Sequence, residues 1–372
     1  MRIAIDARMM SPLNARGIGR YIEELVRGML GQANPTDRFV LLTRQPGASP
    51  FLNHPLVEHQ TADIQWYTLA EQLRMPHLLR EAKADLVHVP HWNAPLLYRG
   101  PLVLTIHDLI LRHQTTSAKA STHHPLFAAT KRFGYRLLLA DVIHKAQHLF
   151  VPTQFVANDV QTLYPSTRGK ITVTSEGIGN FPVEDTRLVP NQPYLFYVGS
   201  AYPHKRLDLL FRAWKQLHTQ HPDLQLVIAG EKDVFMERHL AWVREHQLPR
   251  VQFLGRISDA ALAALDHHAL AFVFPSSQEG FGLPPLEALS VGTPVVSSDS
   301  SCLTEVLPKE GVFFFRDSDL NGMINAIEAV LRDPMRARSQ VAVQQSLLRT
   351  RYAWQDVAAR TLEGYRRCLS HR

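Results

Sequence analysis

Short apolar runs alternate with longer amphipathic stretches along most of the chain. Runs rich in β-branched and aromatic residues predict strands at 2–7, 39–43, 64–67, 86–89, 103–106, 149–151, 171–173, 194–198, 224–230, 251–255, 270–274 and 295–297. Stretches with a helical period lie between them, most clearly after Gly19 and over 125–145 and 354–369. Strands that alternate with helices in this way predict parallel sheets of the α/β class.

The alternation breaks once, and the break predicts a domain boundary. Residues 181–193 are rich in proline and polar side chains and have no amphipathic period. The 372 residues are enough for two domains of ordinary size. We therefore expect a first domain over 1–180, a linker over 181–193, a second domain over 194–352 and a final helix over 353–372.

The most informative stretch follows the strand predicted at 270–274. It reads Pro-Ser-Ser-Gln-Glu-Gly-Phe-Gly-Leu-Pro-Pro-Leu-Glu-Ala, with Glu279 on a glycine-containing loop and Glu287 eight residues later. We expect a helix over 285–291 and place Glu287 in its first turn, where the helix dipole favours a carboxylate. Two such acids are most often a solvated loop residue and a dipole partner, but together they also offer hydrogen-bond acceptors to a polyhydroxyl ligand.

A second loop, after the strand predicted at 194–198, combines small residues with two cations. Gly199 and Ser200 expose backbone N–H groups, and Lys205 and Arg206 add positive charge. Backbone amides and cations that follow a strand form a binding site for phosphate groups. An exposed Lys-Arg pair by itself is usually only solvated surface.

The first strand is also followed by a glycine loop, Gly17-x-Gly19, and then by a helix. A strand, a glycine loop and a helix form the opening of a nucleotide-type α/β unit, because the helix N-terminus favours anions. The loop lacks the third glycine of a dinucleotide fingerprint, which argues against a dinucleotide-binding dehydrogenase.

Two further loops of the first half carry candidate side chains directly after strands. His107 and Asp108 form a pair that is either functional or a simple capped loop. His91 and Trp92 form a second pair, which is either part of a ligand site or a partly buried aromatic loop. The residues alone leave both alternatives open.

The stretch that contains Glu279 and Glu287, together with the trailing Gly-Thr-Pro-Val-Val, resembles the signature of the retaining, GT-B-fold glycosyltransferase family 4. The resemblance is strong over 194–310 and weak over 30–100. It implies an α/β GT-B architecture, in which two Rossmann-like domains face each other across a cleft and the terminal helix crosses back to the first domain.

The resemblance also implies roles for individual residues. The second domain would bind a nucleotide-diphospho-sugar, with Lys205 and Arg206 neutralising the leaving diphosphate, while the first domain would bind the acceptor. His107, Lys205 and Glu279 are the catalytic candidates, and Glu279 would hold hydroxyls of the donor sugar. The donor-binding candidates are Gly17, Gly19, Gly199, Ser200, Lys205, Arg206, Arg256, Ile257, Glu279, Gly280, Phe281, Gly282, Leu283 and Glu287, the last through the ribose.

The acceptor candidates are His91, Trp92 and Asp108, with His91 and Trp92 placed to stack on a sugar. One departure from the family pattern concerns the loop after 194–198. Many members place a basic residue at the edge of that strand, where this chain has Gly199 or Ser200.

We expect neither a cofactor nor a metal, because cations take the place of the metal at the diphosphate. Asp317-x-Asp319 has the form of a metal motif of nucleotide-sugar enzymes, but it precedes a helix, so N-capping explains it better. The two cysteines, Cys302 and Cys368, are too few for a disulfide framework, and no Cys/His cluster has zinc spacing.

The charge of the chain suits an anionic partner. Its net charge is +6 and its pI is about 9.4. Basic residues are scattered, which argues against nucleic acid. The basic, amphipathic helix over 125–145 is either core packing with a solvated face or a peripheral contact with anionic lipid. No apolar run reaches the ~20 residues of a membrane span, and we expect the protein in the cytoplasm, at the inner face of the cell membrane if its acceptor is lipid-linked.

The opening Ile-Asp-Ala-Arg and the segment Gly-Ile-Gly-Arg-Tyr resemble mannosyl- and rhamnosyltransferases of bacterial surface polysaccharide. This resemblance makes GDP-mannose the first donor to consider and a saccharide or lipid-linked saccharide the acceptor. Two alternatives stay open. A nucleotide-sugar epimerase of similar fold would turn over without an acceptor, and a non-catalytic sugar-nucleotide-binding subunit would tolerate the loss of His107 or Lys205.

Overall fold

The computed structural model describes residues 1–10, 17–113, 125–179 and 185–370, and the side chains of 125–133 are not described. The chain forms two compact units. The first contains Met1–Gly177 with Ala353–Arg372, and the second contains Ile178–Tyr352. Of the predicted linker, residues 181–184 lie outside the described residues, and the remainder is grouped with the second unit.

A seven-stranded parallel sheet lies at the centre of the described part of the first unit. Its strands are β1 (Arg2–Asp6), β2 (Arg38–Thr43), β3 (Val57–Thr61), β4 (Leu86–Val89), β5 (Leu102–Thr105), β6 (His148–Val151) and β7 (Ile171–Val173). They are ordered β3-β2-β1-β4-β5-β6-β7. The chain order reverses between β1 and β4, and open α/β sheets bind ligands at the carboxyl ends of the strands beside such a point.

Helices connect these strands. They are α1 (Ile18–Leu30), α2 (Leu69–Glu81), α3 (Ile110–His113), α4 (Pro125–Lys145) and α5 (Gln154–Leu163), with 3-10 turns at Pro46–Ala48 and Pro165–Thr167. Thr68 and Thr153 begin α2 and α5, because each hydroxyl accepts a backbone N–H of the first turn at 3.2 Å. None of the described helices is long and apolar enough to cross a membrane.

The second unit has a six-stranded parallel sheet. Its strands are β8 (Tyr194–Val198), β9 (Gln225–Ala229), β10 (Val251–Gly255), β11 (Ala271–Phe274), β12 (Val295–Ser298) and β13 (Val312–Phe315), in the order β10-β9-β8-β11-β12-β13. Its helices are α6 (Leu207–Gln220), α7 (Val234–Glu245), α8 (Asp259–His268), α9 (Leu283–Ser290), α10 (Leu303–Val306), α11 (Leu320–Arg332) and α12 (Pro334–Arg351), with 3-10 turns at Thr186–Leu188 and Pro203–Lys205. The chain order reverses between β8 and β11.

The last helix, α13 (Trp354–Ser370), returns to the first unit. It packs on α1 so closely that a β-carbon at Gly28 would lie 2.8 Å from the β-carbon of Ala358. Val357, Leu362 and Tyr365 are buried in the same core as β1 and α1. The predicted α/β class with two parallel sheets and a returning terminal helix is therefore confirmed.

One predicted strand is wrong. Residues 64–67 form no strand, and the third strand of the chain is β3, whose Val57 lies opposite Phe39 of β2. β3 lies at the edge of the sheet and reads Val-Glu-His-Gln-Thr. Since an edge strand need not be buried on both faces, it has no apolar run that would mark it.

The predicted position of Glu287 is also wrong. The helix expected over 285–291 begins two residues earlier, at Leu283 of α9. This start places Glu287 beyond the first turn, where its carboxylate is no partner for the helix dipole. The residue is only 5% exposed, which a solvated dipole partner would not be.

Candidate functional site

The predicted donor residues of the second unit lie on two loops that leave neighbouring strands. β8 and β11 are paired, and the loops that follow them hold Lys205 and Glu279. Parallel strands bring their carboxyl ends to the same edge of a sheet, which is where α/β sheets bind ligands. The sequence pattern had located both loops, and the topology places them side by side.

Lys205 and Glu279 form an ion pair. The Lys205 Nζ lies 2.6 Å from Glu279 Oε1, and the two side chains are 17% and 10% exposed. Ser276, which the sequence analysis did not single out, donates its hydroxyl to the same oxygen at 2.5 Å. The ammonium also lies 5.5 Å from the ring centroid of Phe274. A cation and an anion that were expected to bind different parts of a ligand therefore hold each other in place.

Hydrogen bonds join the two loops to each other and to the loop after β12. The carbonyl of His204 accepts the Ser277 N–H at 2.8 Å, and the Glu279 N–H donates to Ser301 Oγ at 3.0 Å. The Cys302 thiol donates to the Glu279 carbonyl at 3.3 Å. Glu279 is thus held through its side chain and both of its backbone groups, so its carboxylate is fixed before any ligand binds.

Arg206 does not join the ion pair. Its guanidinium donates to Ser318 Oγ at 2.8 Å and lies 3.6 Å from Asp208. Its backbone is left-handed, with φ of 54°, at the residue that precedes α6. Such a conformation costs of order 1–3 kcal/mol in a non-glycine residue and is found most often at functional sites.

The glycines of these loops allow close packing. A β-carbon at Gly282, where φ is 93°, would lie 2.6 Å from Leu303 Cδ2. Gly199 has φ of 154°. A β-carbon at Gly230 would overlap the Gly199 carbonyl oxygen, so Gly230 leaves room for this loop. The Phe281 ring is buried edge-on against Tyr352, with centroids 5.5 Å apart, so this side chain belongs to the core.

Glu287 lies near a second buried acid that the sequence analysis missed. Asp266, on α8, is 1% exposed. Burial, and then the charge of Glu287, raise the pKa of Asp266 well above its usual range. The protonated form of the aspartate is therefore favoured beside the glutamate. Its position on a mainly apolar helix, Ala-Ala-Leu-Ala-Ala-Leu-Asp, is the signal that could have revealed a buried acid.

Two other donor candidates of the second unit lie after β10. The Arg256 guanidinium pairs with Glu231 at 2.8 Å, on the surface. Ile257 is partly buried and packs against the core of the unit.

Asp319 accepts the Gly322 N–H at 2.9 Å and begins α11, which confirms the capping interpretation of the Asp-x-Asp. Within the described residues, no group of His, Cys, Asp and Glu side chains is placed to hold a metal ion.

In the first unit, His107 is held by an acid that the sequence analysis missed. Its Nδ1 lies 2.9 Å from Glu176 Oε1, and its Nε2 lies 3.3 Å from the Pro90 carbonyl. Both partners are hydrogen-bond acceptors, an arrangement that favours the protonated imidazole, which can donate from both ring nitrogens. Burial lowers the pKa of His107, but the hydrogen bond and charge of Glu176, together with the charge of Asp108 and the Pro90 carbonyl, raise it above its usual value. Glu176 follows the last strand of the unit, a position that could have marked it.

The other half of the His-Asp pair is a cap. Asp108 Oδ1 accepts the Ile110 N–H at 2.9 Å, at the start of α3. His107 is instead covered by Tyr21, whose ring meets it edge-on at 4.6 Å between centroids. The capping alternative therefore holds for Asp108, and the functional role of His107 stays a prediction.

The acceptor candidates belong to an aromatic cluster. His91 and Trp92 have ring centroids 4.8 Å apart, and Tyr67 stacks on Trp92 at 5.4 Å with 28° between the planes. Tyr135 meets Trp92 edge-on, with ring centroids 4.7 Å apart. We call Tyr67, His91, Trp92 and Tyr135 the aromatic cluster. Tyr67 and Tyr135 were not predicted, because neither follows a strand.

The two glycines of the first loop serve different purposes. Gly17 is exposed, with φ of 58°, and precedes α1. Gly19 is buried against the Met9 carbonyl, which a β-carbon would overlap. Residues 11–16 of this loop lie outside the described residues, so the structure gives no ligand geometry for it.

Two family models match the chain. The model described as Glycosyltransferase Family 4 matches residues 15–179, and the model described as Glycosyl transferases group 1 matches residues 183–345. Each match therefore covers most of one of the two units.

Known proteins are similar over nearly the whole chain. The O-antigen chain mannosyltransferase B of Escherichia coli is 27% identical over 388 residues, which cover 94% of this chain and 96% of that protein. The sucrose-phosphate synthase of Thermosynechococcus elongatus has a TM-score of 0.78 at 22% identity, with all of both chains covered. The Anabaena protein HepE, solved in complex with UDP-glucose, has a TM-score of 0.72 at 18% identity, with 98% of each chain covered.

The structural neighbours share the fold of the two units, which is that of GT-B enzymes. The Escherichia coli relative and the two family models show that the amino-acid sequence is similar as well. On these grounds the chain is an enzyme that belongs to the glycosyltransferases of family 4, with the group 1 domain as its second half.

Proposed function

We propose that this enzyme is a retaining hexosyltransferase, which moves a hexose from a nucleotide-diphospho-sugar to a saccharide or a lipid-linked saccharide in the synthesis of a surface polysaccharide. The observation that carries the proposal is the ion pair between Lys205 and Glu279 at the carboxyl ends of β8 and β11. In this pair, Lys205 provides a cation for the leaving diphosphate, and Glu279 provides a hydrogen-bond acceptor for hydroxyls of the donor sugar.

The chemistry asked of Lys205 is the stabilisation of negative charge as the diphosphate leaves. Its ammonium is mostly shielded from water and already neutralised by Glu279, so a diphosphate would take over part of an existing charge pairing. Fixed charges in such a site act more strongly than in water and need no reorganisation during the reaction. With a lysine in this role, the transfer would need no metal.

Retention follows from the geometry that such a site would impose. The acceptor hydroxyl would attack the anomeric carbon on the face from which the diphosphate departs, and the leaving phosphate oxygen would take the hydroxyl proton. No enzyme nucleophile is required. Glu279, held by Lys205 and Ser276, would position the sugar rather than attack it.

The family resemblance supports a role for His107, since a histidine at the matching place of the family faces the transferred sugar. When the ring is protonated, one N–H donates to Glu176 and the other to the Pro90 carbonyl, at the longer distance of 3.3 Å. The second N–H is the one that a sugar oxygen could take over. Glu176 would meanwhile keep the ring charged and oriented.

GDP-mannose is the first donor to test. The E. coli relative is named a mannosyltransferase of the O-antigen chain and is similar over almost its full length. UDP-glucose is the second, because HepE of similar fold was solved with it. Lipid-linked acceptors of surface polysaccharide would place the enzyme in the cytoplasm, at the inner face of the membrane.

The proposal is tested by saturation-transfer NMR against a panel of nucleotide sugars, followed by product analysis with the donor that binds. We expect one nucleotide-diphospho-hexose to bind and to be consumed faster when a saccharide acceptor is added. Turnover to an isomeric nucleotide sugar without acceptor would favour the epimerase. Binding without any turnover, unchanged in Lys205→Ala, would favour the non-catalytic subunit.

A further inference from the structure

Four polar side chains in the core of the first unit join the terminal helix to the ring that covers His107. The Tyr365 hydroxyl, on α13, lies 2.6 Å from His88 Nδ1, and His88 Nε2 lies 2.9 Å from Thr105 Oγ1. Thr105 Oγ1 lies 3.3 Å from the Tyr21 hydroxyl on α1. We call Tyr365, His88, Thr105 and Tyr21 the buried network.

The buried network is shielded from water. His88 and Tyr365 are fully buried, and Thr105 and Tyr21 are 2% and 4% exposed. A buried hydroxyl or imidazole nitrogen that loses its partner has no water to replace it, so each of these groups depends on its neighbours for a hydrogen bond. The four side chains therefore hold one another in a defined arrangement.

His88 links the two ends of the network. Burial, and then the charge of His107, lower the pKa of His88 to about 3, which favours the neutral ring. A neutral imidazole donates from one nitrogen and accepts at the other. His88 therefore accepts a hydrogen bond from one of its two hydroxyl neighbours and donates to the other, so Tyr365 and Thr105 are joined through a single tautomer.

The network lies beside the residues that orient His107. His88 is on β4, two residues before Pro90, and Thr105 is on β5, two residues before His107. The two strands are paired, and the Pro90 carbonyl is the second acceptor of the His107 ring. The hydrogen bond between His88 and Thr105 therefore connects the two strand ends that carry the ring and its acceptor.

Tyr21 supports the same ring from α1. Its ring meets His107 edge-on, with centroids 4.6 Å apart, and lies 5.7 Å from the Trp354 ring at the start of α13. The terminal helix thus reaches Tyr21 twice, directly through Trp354 and through the network from Tyr365. The hydrogen bond with Thr105 limits how far the Tyr21 ring can shift along the imidazole.

Packing alone does not require polar side chains here. Phe150 lies against both His88 and Tyr365, with ring centroids 5.6 and 6.0 Å away, so the surroundings are largely aromatic. Replacing both partners of a buried hydrogen bond by apolar groups of the same shape can be neutral or stabilising. What the hydrogen bonds add is direction, because a satisfied polar network specifies one geometry of the core.

We propose that Tyr365 and His88 are positioning residues for His107, and that the terminal helix holds the imidazole in its orientation through the buried network. Both residues act on the imidazole through other side chains and not on a substrate. This inference rests on the proposed function, which gives His107 its role at the transferred sugar. It gives α13 a part in the rate of transfer in addition to its packing on α1.

The test uses Tyr365→Phe, which removes the hydroxyl at one end of the network and keeps the ring. The probe is GDP-mannose, or the nucleotide sugar of the panel that binds if GDP-mannose does not. We expect its single-turnover rate to fall about 10–100-fold, because a small displacement of a catalytic group is costly, while its Kd stays that of the parent. In NMR spectra without substrate, the ring signals of His107 should shift.

The matched control is Thr361→Val. Thr361 lies one turn before Tyr365 on α13, is fully buried, and donates its hydroxyl to the Val357 carbonyl at 2.8 Å. Both variants remove one buried hydroxyl from the same helix, but only Tyr365→Phe interrupts the network. Thr361→Val should leave the rate and the ring signals of His107 as they are in the parent.

A second variant tests whether the effect passes along the network. Tyr21→Phe removes the hydroxyl at the other end. If both hydroxyls act through one network, the double variant should lose less rate than the product of the two single losses. Single losses that multiply would show that Tyr365 acts independently of Tyr21, and would contradict the proposal.

The outcomes separate this inference from the proposed function. If the parent turns over the nucleotide sugar, but Tyr365→Phe keeps the rate of Thr361→Val and the ring signals of His107 do not shift, the positioning role is wrong and the transferase stands. If rate and donor affinity fall equally, Tyr365 supports only the fold, and the positioning role is again wrong. If the parent turns over no nucleotide sugar of the panel, the proposed function fails and the positioning role fails with it.

Discussion

Lys205 has the main chemical role in the proposed reaction, because it stabilises the leaving diphosphate. We expect Lys205→Ala to lower the rate of transfer by about 10²–10³, the usual effect of removing one preorganised electrostatic group, and to lower donor affinity much less. Single-turnover rates and calorimetry of donor binding measure the two effects. Lys215→Ala, on the exposed face of α6, is the control. Equal losses of rate and affinity would show that the lysine only binds the donor.

The charge on His107 depends on Glu176. Since Glu176 raises the pKa of the imidazole, replacing it by glutamine should lower that pKa and reduce the protonated fraction at neutral pH. The rate should therefore fall with rising pH in both proteins, and the fall should occur at lower pH in Glu176→Gln. Rate profiles and NMR titration of the ring are the measurements. A profile that does not move would mean that Glu176 has only a structural role.

The residues predicted from the sequence are those next to a recognisable strand end. Glu279, Lys205 and His107 each follow an apolar run, so the pattern located them. Their partners were missed where they come from distant parts of the chain, because periodicity reports local structure and not tertiary contact. Glu176 lies 69 residues from His107.

Inner strands of both sheets were all predicted, whereas two of the four edge strands, β3 and β13, were missed. Strands such as β4 and β8 are buried throughout and were located to the residue. The polar edge strand β3 was missed, and the apolar residues at 64–67 were taken for a strand. Ile64 is buried, but the backbone of this segment forms no strand and leads through Tyr67 into α2.

The contact of α1 with α13 gives a test at the scale of elements. Alanine stabilises a helix relative to glycine by up to about 1 kcal/mol, but at Gly28 a methyl group would lie 2.8 Å from Ala358 Cβ and 3.0 Å from the Trp354 carbonyl. Overpacking costs about 1–3 kcal/mol, so Gly28→Ala should lower the free energy of unfolding.

Gly134 on α4 is the matched control for Gly28. Among the described atoms, none would lie within 4 Å of a β-carbon there, so Gly134→Ala should stabilise the protein by its helix propensity alone. Denaturant unfolding measures both variants. If the two alanines have the same effect, α13 does not pack on α1 as described.

For the whole molecule, the basic helix α4 is the proposed contact with anionic lipid. Arg136 and Leu137 are exposed on it, and Lys131 and Arg132 precede them. Each cation near an anionic surface contributes about 1 kcal/mol, so replacing the three cations by glutamine should reduce co-sedimentation with anionic liposomes, most at low salt. Donor binding should not change. If co-sedimentation depends neither on the substitutions nor on the salt concentration, this helix is not the contact with lipid.

The stereochemistry of the reaction tests the central claim most directly. With the nucleotide sugar that binds in the panel, proton NMR can follow the anomeric signal of the sugar as it is transferred to an acceptor or released to water, before mutarotation. The account predicts that the new bond has the anomeric configuration of the donor, and that Lys205→Ala makes this product far more slowly. A product of inverted configuration would contradict a retaining transfer at the Lys205–Glu279 site.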